Sequence, residues 1–408
     1  MSDPAPCSRW KLPVLYFVIA SAMGMWTVPF GNVLRAHGLE SIIGYAFACS
    51  GVAAFISPLA IGALADQRVS AVRLLRWLSV ATACCLTLTS LAIERRWGVG
   101  AVLTGALAQA ICAAPCFGLA TSIILASLGD ARREFGPIRA VATLGWMVAC
   151  AVVSFVLSAD TSTLAGFTSA GTWLATGALT FLLPETPPLE TTEPRDTFGL
   201  AALSLLLHRD HRVVFITAAL YNAALAAFYP FTPIHLTERG VEHATAAMAL
   251  GQITELISMF ALAGLIARWR LKWVFLTGIG FAVLRYGLCA LDTRAWLLTG
   301  VTLHGFAFTL YFITAQIYLE QRVDPRMRTR AQALLQVMIG GFGNLAGYLG
   351  TAAWRAVCVT DGATNWPRFW WGMSGVTAVV FVWFALSYRG QPNAEPRSER
   401  PGADDPEK

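Results

Sequence analysis

The sequence is short of charge. Asp, Glu, Lys and Arg make up 13% of its 408 residues, about half the ~25% usual in soluble domains. Lysine is nearly missing, with Lys11, Lys272 and Lys408 forming the whole set. Hydrophobic residues reach 56% and the mean hydropathy is +0.57. A soluble chain of this length could not keep so much apolar surface from water. Soluble enzymes and DNA-binding modules are thereby excluded, and an all-α membrane protein with many spans is expected. No lysine follows a glycine, so the phosphate-cradling Gly-Lys-Ser/Thr loop of a nucleotide-driven pump is missing too. Transport by this chain would be passive, ion-coupled or powered by another subunit.

Clustered cysteine is also lacking. The nine cysteines are scattered through apolar runs with no CxxC or Cys/His ligand cluster, and read as small core hydrophobes. Cys112 and Cys116 share a helix face, yet no metal or redox role is expected of them, nor any cofactor. Arg9 and Lys11 precede an apolar stretch too long for a cleavable signal and without a small-residue cleavage pattern, so the first helix is expected to remain in the mature protein.

What the sequence has is long apolar runs. Twelve can each supply the roughly 20 residues a transmembrane helix needs: 12–34, 41–64, 72–93, 98–126, 138–158, 163–183, 212–236, 245–266, 272–291, 295–319, 331–352 and 369–388. The longest polar interruption, from Pro184 to Arg212, contains PETPPLETTEPRD and reads as a linker. The expected organisation is a six-helix half over 1–183, a cytoplasmic linker over 184–211, a second half over 212–390 and a disordered tail over 391–408. With both termini on one side, that side collects 21 Lys and Arg against seven opposite. The positive-inside rule then puts both termini in the cytoplasm. The net charge of +6 is mostly this topology signal, and no nucleic-acid partner is inferred from it.

A six-plus-six layout leaves traces of a repeat. GALADQR at 62–68 is echoed 202 residues later by GLIARWR at 264–270. In both, a Gly ends an even-numbered helix before a tight charged turn. GALADQR resembles the loop 2–3 signature of the major facilitator superfamily, with Gly62, Asp66 and Arg68 as candidate gating residues. Asp66 either pairs with helix ends or arginines to steady one gating state or is a solvated loop acid.

Charge at membrane depth is costly and usually functional. Of 24 Asp and Glu residues, 23 fall in loops, tails or helix ends under this span map. The exception is Glu255, near the middle of span eight. A proton-coupled carrier needs a protonatable group that can be shielded and exposed in turn, and Glu255 is the acid placed for it. Its other readings are a carboxyl bonded to a neighbouring helix and an acceptor for substrate hydroxyls. Gln252, three residues earlier, faces roughly the same way. Arg285 lies in span nine. Arg139, Thr143 and Trp146 at i, i+4 and i+7 share one face of span five, suiting either a polar-plus-aromatic substrate contact or an Arg snorkelling to the interface. His304, Phe308 and Phe312 share a face of span ten, where a lone His is a satisfied core residue or a ligand. Gly343 and Gly347 form a GxxxG read as packing. The Trp-rich NWPRFWWG before span twelve reads as an interfacial aromatic belt. HRDH at 208–211 carries catalytic residue types without partners and is set aside.

Several segments resemble the nucleoside:proton symporters of the major facilitator superfamily: GPIRAVATLGW at 136–146, GQITELI at 251–257, VLRYGL at 283–288, LHGFAF at 303–308 and QIYLEQRVDPRMRTRAQALLQVMIGGFGN at 316–344. The resemblance covers most of the membrane region in both halves, and the last segment is the most distinctive. It implies a cavity lined by Arg139, Thr143 and Trp146 on helix five, Gln252 and Glu255 on helix eight, and His304 and Phe308 on helix ten. It also implies that span five starts earlier than 138. The chain departs from the family pattern at Thr309, Thr121, Ala226 and Tyr229, where the family has Asp, Asn, Gln and Asn. Helices seven and ten are also similar to the related aromatic-acid and oligosaccharide permeases, and an anionic substrate would suit Arg139.

The expectation is a twelve-helix carrier of the bacterial inner membrane, working as a monomer in the bilayer by alternating access. It would import nucleosides with protons. An aromatic carboxylic acid or a sugar is the alternative substrate, and a non-transporting sensor or intramembrane enzyme the alternative class. One deep acid is too few for an enzyme.

Overall fold

Runs that are apolar on every side cannot face water, and in lipid a backbone must satisfy its own polar groups, so helices are the form open to this sequence. The computed structural model describes residues 10–65, 69–184 and 200–390 and is helical along nearly all of them. The long elements are α1 (Lys11–Ala36), α2 (Ile43–Ala65), α3 (Ala71–Glu94), α4 (Val99–Ser127), α5 (Glu134–Val156) and α6 (Leu164–Leu179). After the linker come α7 (Arg209–Glu238), α8 (Ala244–Arg268), α9 (Leu271–Cys289), α10 (Arg294–Arg322), α11 (Pro325–Val357) and α12 (Trp366–Ser387). Ser70, Thr293 and Asn365 cap α3, α10 and α12 by accepting the amides of Arg73, Trp296 and Arg368, satisfying donors that a helix start leaves open.

Two expectations change. Eleven elements, not twelve, are long and apolar enough to cross a membrane among the described residues. The exception is α6, which stands in place of the 163–183 run and has 16 residues before a 3-10 turn, Thr180–Leu182. It stops because Pro184 bars the preceding residue from helical geometry, and Leu183 is extended at ψ 145°. The fifth span begins at Glu134 rather than 138, which sets Arg139 inside the helix, as the family resemblance implied.

Elements α1–α6 pack chiefly on one another, as do α7–α12, and the two groups meet along α1/α7, α2/α11 and α5/α8. Apolar side chains gain little by leaving lipid for each other, so contact relies on small residues that let backbones close up. A Cβ on Gly145 of α5 would sit 2.3 Å from the Phe17 carbonyl oxygen of α1.

Polar contacts between the groups gather at the end away from the chain termini. Arg35 of α1 pairs with Glu238 of α7 at 2.5 Å, and Arg355 of α11 pairs with Glu40, just before α2. Asn32 donates to the Pro233 carbonyl (3.3 Å) and to the Thr237 hydroxyl (3.1 Å). Asp160 beyond α5 accepts the Thr245 amide at the start of α8 (2.6 Å) and the Ser154 hydroxyl (3.0 Å). Nearby, Asp292 accepts from His235 (2.7 Å) and Arg239 (2.6 Å). Burial raises the Asp292 carboxyl, but these two donors and their charges outweigh it and hold it below the usual carboxylate range. The NWPRFWWG segment departs from the expected belt. Trp366 and Trp370 are buried, donating to Glu238 and His235, and Trp371 is exposed.

Candidate functional site

Side chains three, four or seven apart on a helix stand over one another, so α5, α8 and α10 each present a short stripe. The structure turns the three stripes toward one cavity of about 400 Å³. Arg139, Thr143 and Trp146 line it from α5, Gln252 and Glu255 from α8, and His304 and Phe308 from α10. The seven residues singled out in the sequence therefore meet. Gly62 ends in the last turns of α2, whereas Asp66 and Arg68 lie outside the described residues.

Each wall has its own chemistry. Arg139 stands over the Phe117 ring with its guanidinium carbon 4.9 Å from the centroid. Among the described residues no protein group accepts its hydrogen bonds. The Glu255 carboxylate likewise makes no hydrogen bond or ion pair there, and Arg139 is the cation whose charge reaches it. The acid is seated by a close crossing of α8 and α10: a Cβ on Gly305 would fall 1.9 Å from the Glu255 backbone nitrogen. The aromatic walls are Trp146 beside Tyr229 (5.9 Å between centroids) and Phe308 beside Phe312 (5.1 Å).

His304 is both a cavity residue and part of a buried polar cluster. Its ring stacks on Phe228 at 4.0 Å, and its Nδ1 faces Arg285 Nη1 at 2.5 Å. A guanidinium only donates, so Nδ1 accepts, the imidazole is neutral, and its proton sits on Nε2. Arg285 is 1% exposed, donates its other arm to the Tyr286 hydroxyl (2.9 Å) and stacks over Phe228 and Tyr286, each at 4.5 Å. Buried charge needs such compensation. The VLRYG segment thus acts on the site through His304.

The departures from the family pattern resolve individually. Ala226 and Tyr229 line the cavity. Thr121 does not: its hydroxyl takes the Tyr16 phenol (2.8 Å) and donates to the Phe117 carbonyl (2.8 Å). Thr309 is sealed off with an unpartnered hydroxyl, inside the π-helical stretch Thr309–Ile313. The HRDH segment is structural. His211 bonds the Tyr318 hydroxyl (2.7 Å), and Asp210 receives the Arg389 and Gly390 amides (3.1 and 2.9 Å). Gly343 and Gly347 of α11 pack against α7, where added Cβ atoms would meet Ala219 and Ala223 backbone at 3.0 and 2.7 Å.

Sequence reasoning missed two amides, Asn222 of α7 and Asn344 of α11, along with Phe117 and Tyr348. A census of uncharged amides inside the apolar runs would have found the asparagines.

The nucleoside H+ symporter family model matches residues 8–393. The proposed nucleoside transporter YegT of Escherichia coli K12 is 33% identical, covering 94% of each chain. Xanthosine permease of the same organism is 25% identical over 94% of this chain and 96% of its own. The solved structure of nucleoside transporter NupG superposes with a TM-score of 0.84 at 23% identity, over 93% of this chain and 99% of that one. The fold is that of the major facilitator superfamily. By its fold and by a family match over nearly its whole length, the chain belongs to the nucleoside H+ symporters, a family of membrane transporters and not of enzymes.

Proposed function

We propose that the protein imports nucleosides together with protons by alternating access. One observation carries the reading: one cavity joins flat aromatic walls to a carboxylate, Glu255, and a guanidinium, Arg139, that have no hydrogen-bond partner among the described residues. Its volume of about 400 Å³ lies within the roughly 300–1,000 Å³ of small-molecule sites. Trp146 and Phe308 stack the base. Arg139, Thr143, Gln252 and the His304 Nε2–H supply hydrogen bonds to base or sugar, and Glu255 holds the transported proton or accepts a ribose hydroxyl. The names of YegT and xanthosine permease support a nucleoside cargo.

The protein works as a single chain in the bacterial inner membrane with both termini cytoplasmic, an orientation supported by the 21-to-seven basic bias. Halves 1–183 and 212–390 rock about the cavity, with 184–211 as the linker and 391–408 as a tail. The gathered contacts of Arg35, Glu40, Asp160, Glu238 and Arg355 hold the external side shut. Asp66 and Arg68 after Gly62 steady a gating state.

A counterflow panel in proteoliposomes tests the cargo. Labelled uridine should exchange against internal uridine, inosine or xanthosine and not against phenylpropionate or a hexose. Exchange with phenylpropionate alone would replace the nucleoside with an aromatic acid drawn by Arg139.

A further inference from the structure

Two asparagines sit on facing helices of the cavity in a part of the wall that the stripes of α5, α8 and α10 do not supply. Asn222 of α7 donates from Nδ2 to the Ile339 carbonyl (3.0 Å) and to Asn344 Oδ1 (2.7 Å). A backbone carbonyl can only accept, so the nitrogen of the Asn222 amide must face Ile339. That fixes the Asn344 amide as well, since its oxygen must meet the Asn222 nitrogen. The remaining atoms are Asn222 Oδ1, an acceptor, and Asn344 Nδ2, a donor. Among the described residues no protein group pairs with either. Neither atom is sealed from the cavity that both residues line.

The surroundings are built for this pair. Asn344 follows the π-helical stretch Val337–Gly343, a rare widening of the helix that recurs at functional sites. Ile339, which holds the Asn222 amide, lies within that stretch. Gly343 leaves the room: a Cβ there would come to 3.0 Å from both Cβ and Nδ2 of Asn222.

We propose that Asn222 and Asn344 form a fixed amide pair that reads the N–H/C=O edge of a nucleobase lactam, such as N3–H with a carbonyl of uracil or N1–H with C6=O of hypoxanthine. This rests on the nucleoside reading and goes beyond it by assigning a base-reading group. The ring N–H donates to Asn222 Oδ1, and the carbonyl accepts from Asn344 Nδ2. Neutral amides suit a neutral planar base. The acceptor-only carboxylate of Glu255, on α8, suits ribose hydroxyls. Because a lost partner leaves a polar group of the site unpaired, the pair discriminates as well as binds.

The test is uptake kinetics of the full chain in proteoliposomes, comparing uridine with 3-methyluridine, in which the ring N–H is replaced by methyl. The wild type should show a KM about tenfold higher for the methylated nucleoside, the scale of one lost hydrogen bond. Asn344→Asp keeps the acceptor that Asn222 needs and turns the outward donor into an acceptor. Its uridine KM should rise about tenfold while its discrimination between the two nucleosides stays near the wild-type ratio, because Asn222 Oδ1, the partner of the ring N–H, is still in place. Asn222→Ala, which removes the N–H acceptor without adding charge, should raise the uridine KM about tenfold and bring the discrimination toward one, and it serves if Asn344→Asp does not fold. Wild-type uptake of uridine that ignores N3 methylation overturns the amide pair alone. So does an Asn222→Ala variant that keeps the wild-type ratio, an Asn344→Asp variant that keeps the wild-type uridine KM, or either variant altering only the preference for uridine over 2′-deoxyuridine, a sign of sugar reading. Absence of any wild-type nucleoside uptake overturns the nucleoside reading and this inference with it.

Discussion

Adding one methyl group at Gly305 should break coupling without removing a polar group. Gly305 of α10 faces Glu255 of α8, and an alanine Cβ would lie 1.9 Å from the Glu255 nitrogen, 2.4 Å from the Gly251 oxygen and 2.5 Å from the Glu255 Cα. All three are backbone atoms, and no side chain can swing aside. Ordinary contact begins near 3.4 Å, so the two helices must part by roughly 1.5 Å. Overpacking of this kind costs about 1–3 kcal/mol. Glu255 moves with its backbone, and displacing a reacting group by about 1 Å costs on the order of a hundredfold in rate. Gly305→Ala should therefore lower proton-driven uptake by one to two orders of magnitude while the folded protein remains detectable by thermal unfolding. Gly375→Ala, where an added Cβ meets nothing within 4 Å, is the matched control and should behave as wild type. Wild-type accumulation by Gly305→Ala with an unchanged melting temperature would refute the close seating of Glu255.

Three further outcomes follow from the same geometry. Glu255→Gln removes the unpartnered acid and should abolish gradient-driven accumulation while sparing uridine exchange; undiminished accumulation would remove Glu255 from coupling. Arg285→Leu frees the His304 ring from its partner at 2.5 Å and should raise the substrate KM several-fold with a smaller change in maximal rate, whereas kinetics identical to wild type would make Arg285 a packing residue only. Replacing Arg35 and Arg355 together by Gln breaks both ion pairs between the helix groups. Each partly exposed pair contributes roughly 0.2–1 kcal/mol, so spin-label distances across the α1/α7 end should show an open-to-closed ratio increased by about twofold to thirtyfold. An unchanged distance distribution would take the pairs out of gating.

Much of the site was legible because charge and helical spacing expose it. Arg139, Thr143 and Trp146, and likewise Gln252 and Glu255, fall at helix intervals inside apolar runs, where polarity has a cost and so carries information. Asn222 and Asn344 escaped because each is a lone amide with no charged residue at helical spacing beside it, unlike Gln252 beside Glu255, although burying one without a partner is also costly. The closure at the far end was hidden for another reason. Arg35, Glu40, Glu238 and Arg355 sit in or beside loops, where sequence shows only a tally of charge by side, and their pairing depends on how α1, α2, α7 and α11 converge. The π-helical stretches in α10 and α11 leave no sequence period of their own. Pro184 marks the start of the linker in the sequence, and its further effect, cutting α6 short, follows from the geometry it imposes on Leu183.

The central claim is that a proton gradient drives nucleosides through this cavity by way of Glu255. It is met most directly by reconstituting the protein in proteoliposomes, imposing an inward proton gradient and following labelled uridine. The account predicts accumulation above the external concentration, rising as the outside is made more acidic than the inside and collapsing with a protonophore. Uridine entry that only equilibrates, with or without the gradient, would contradict it.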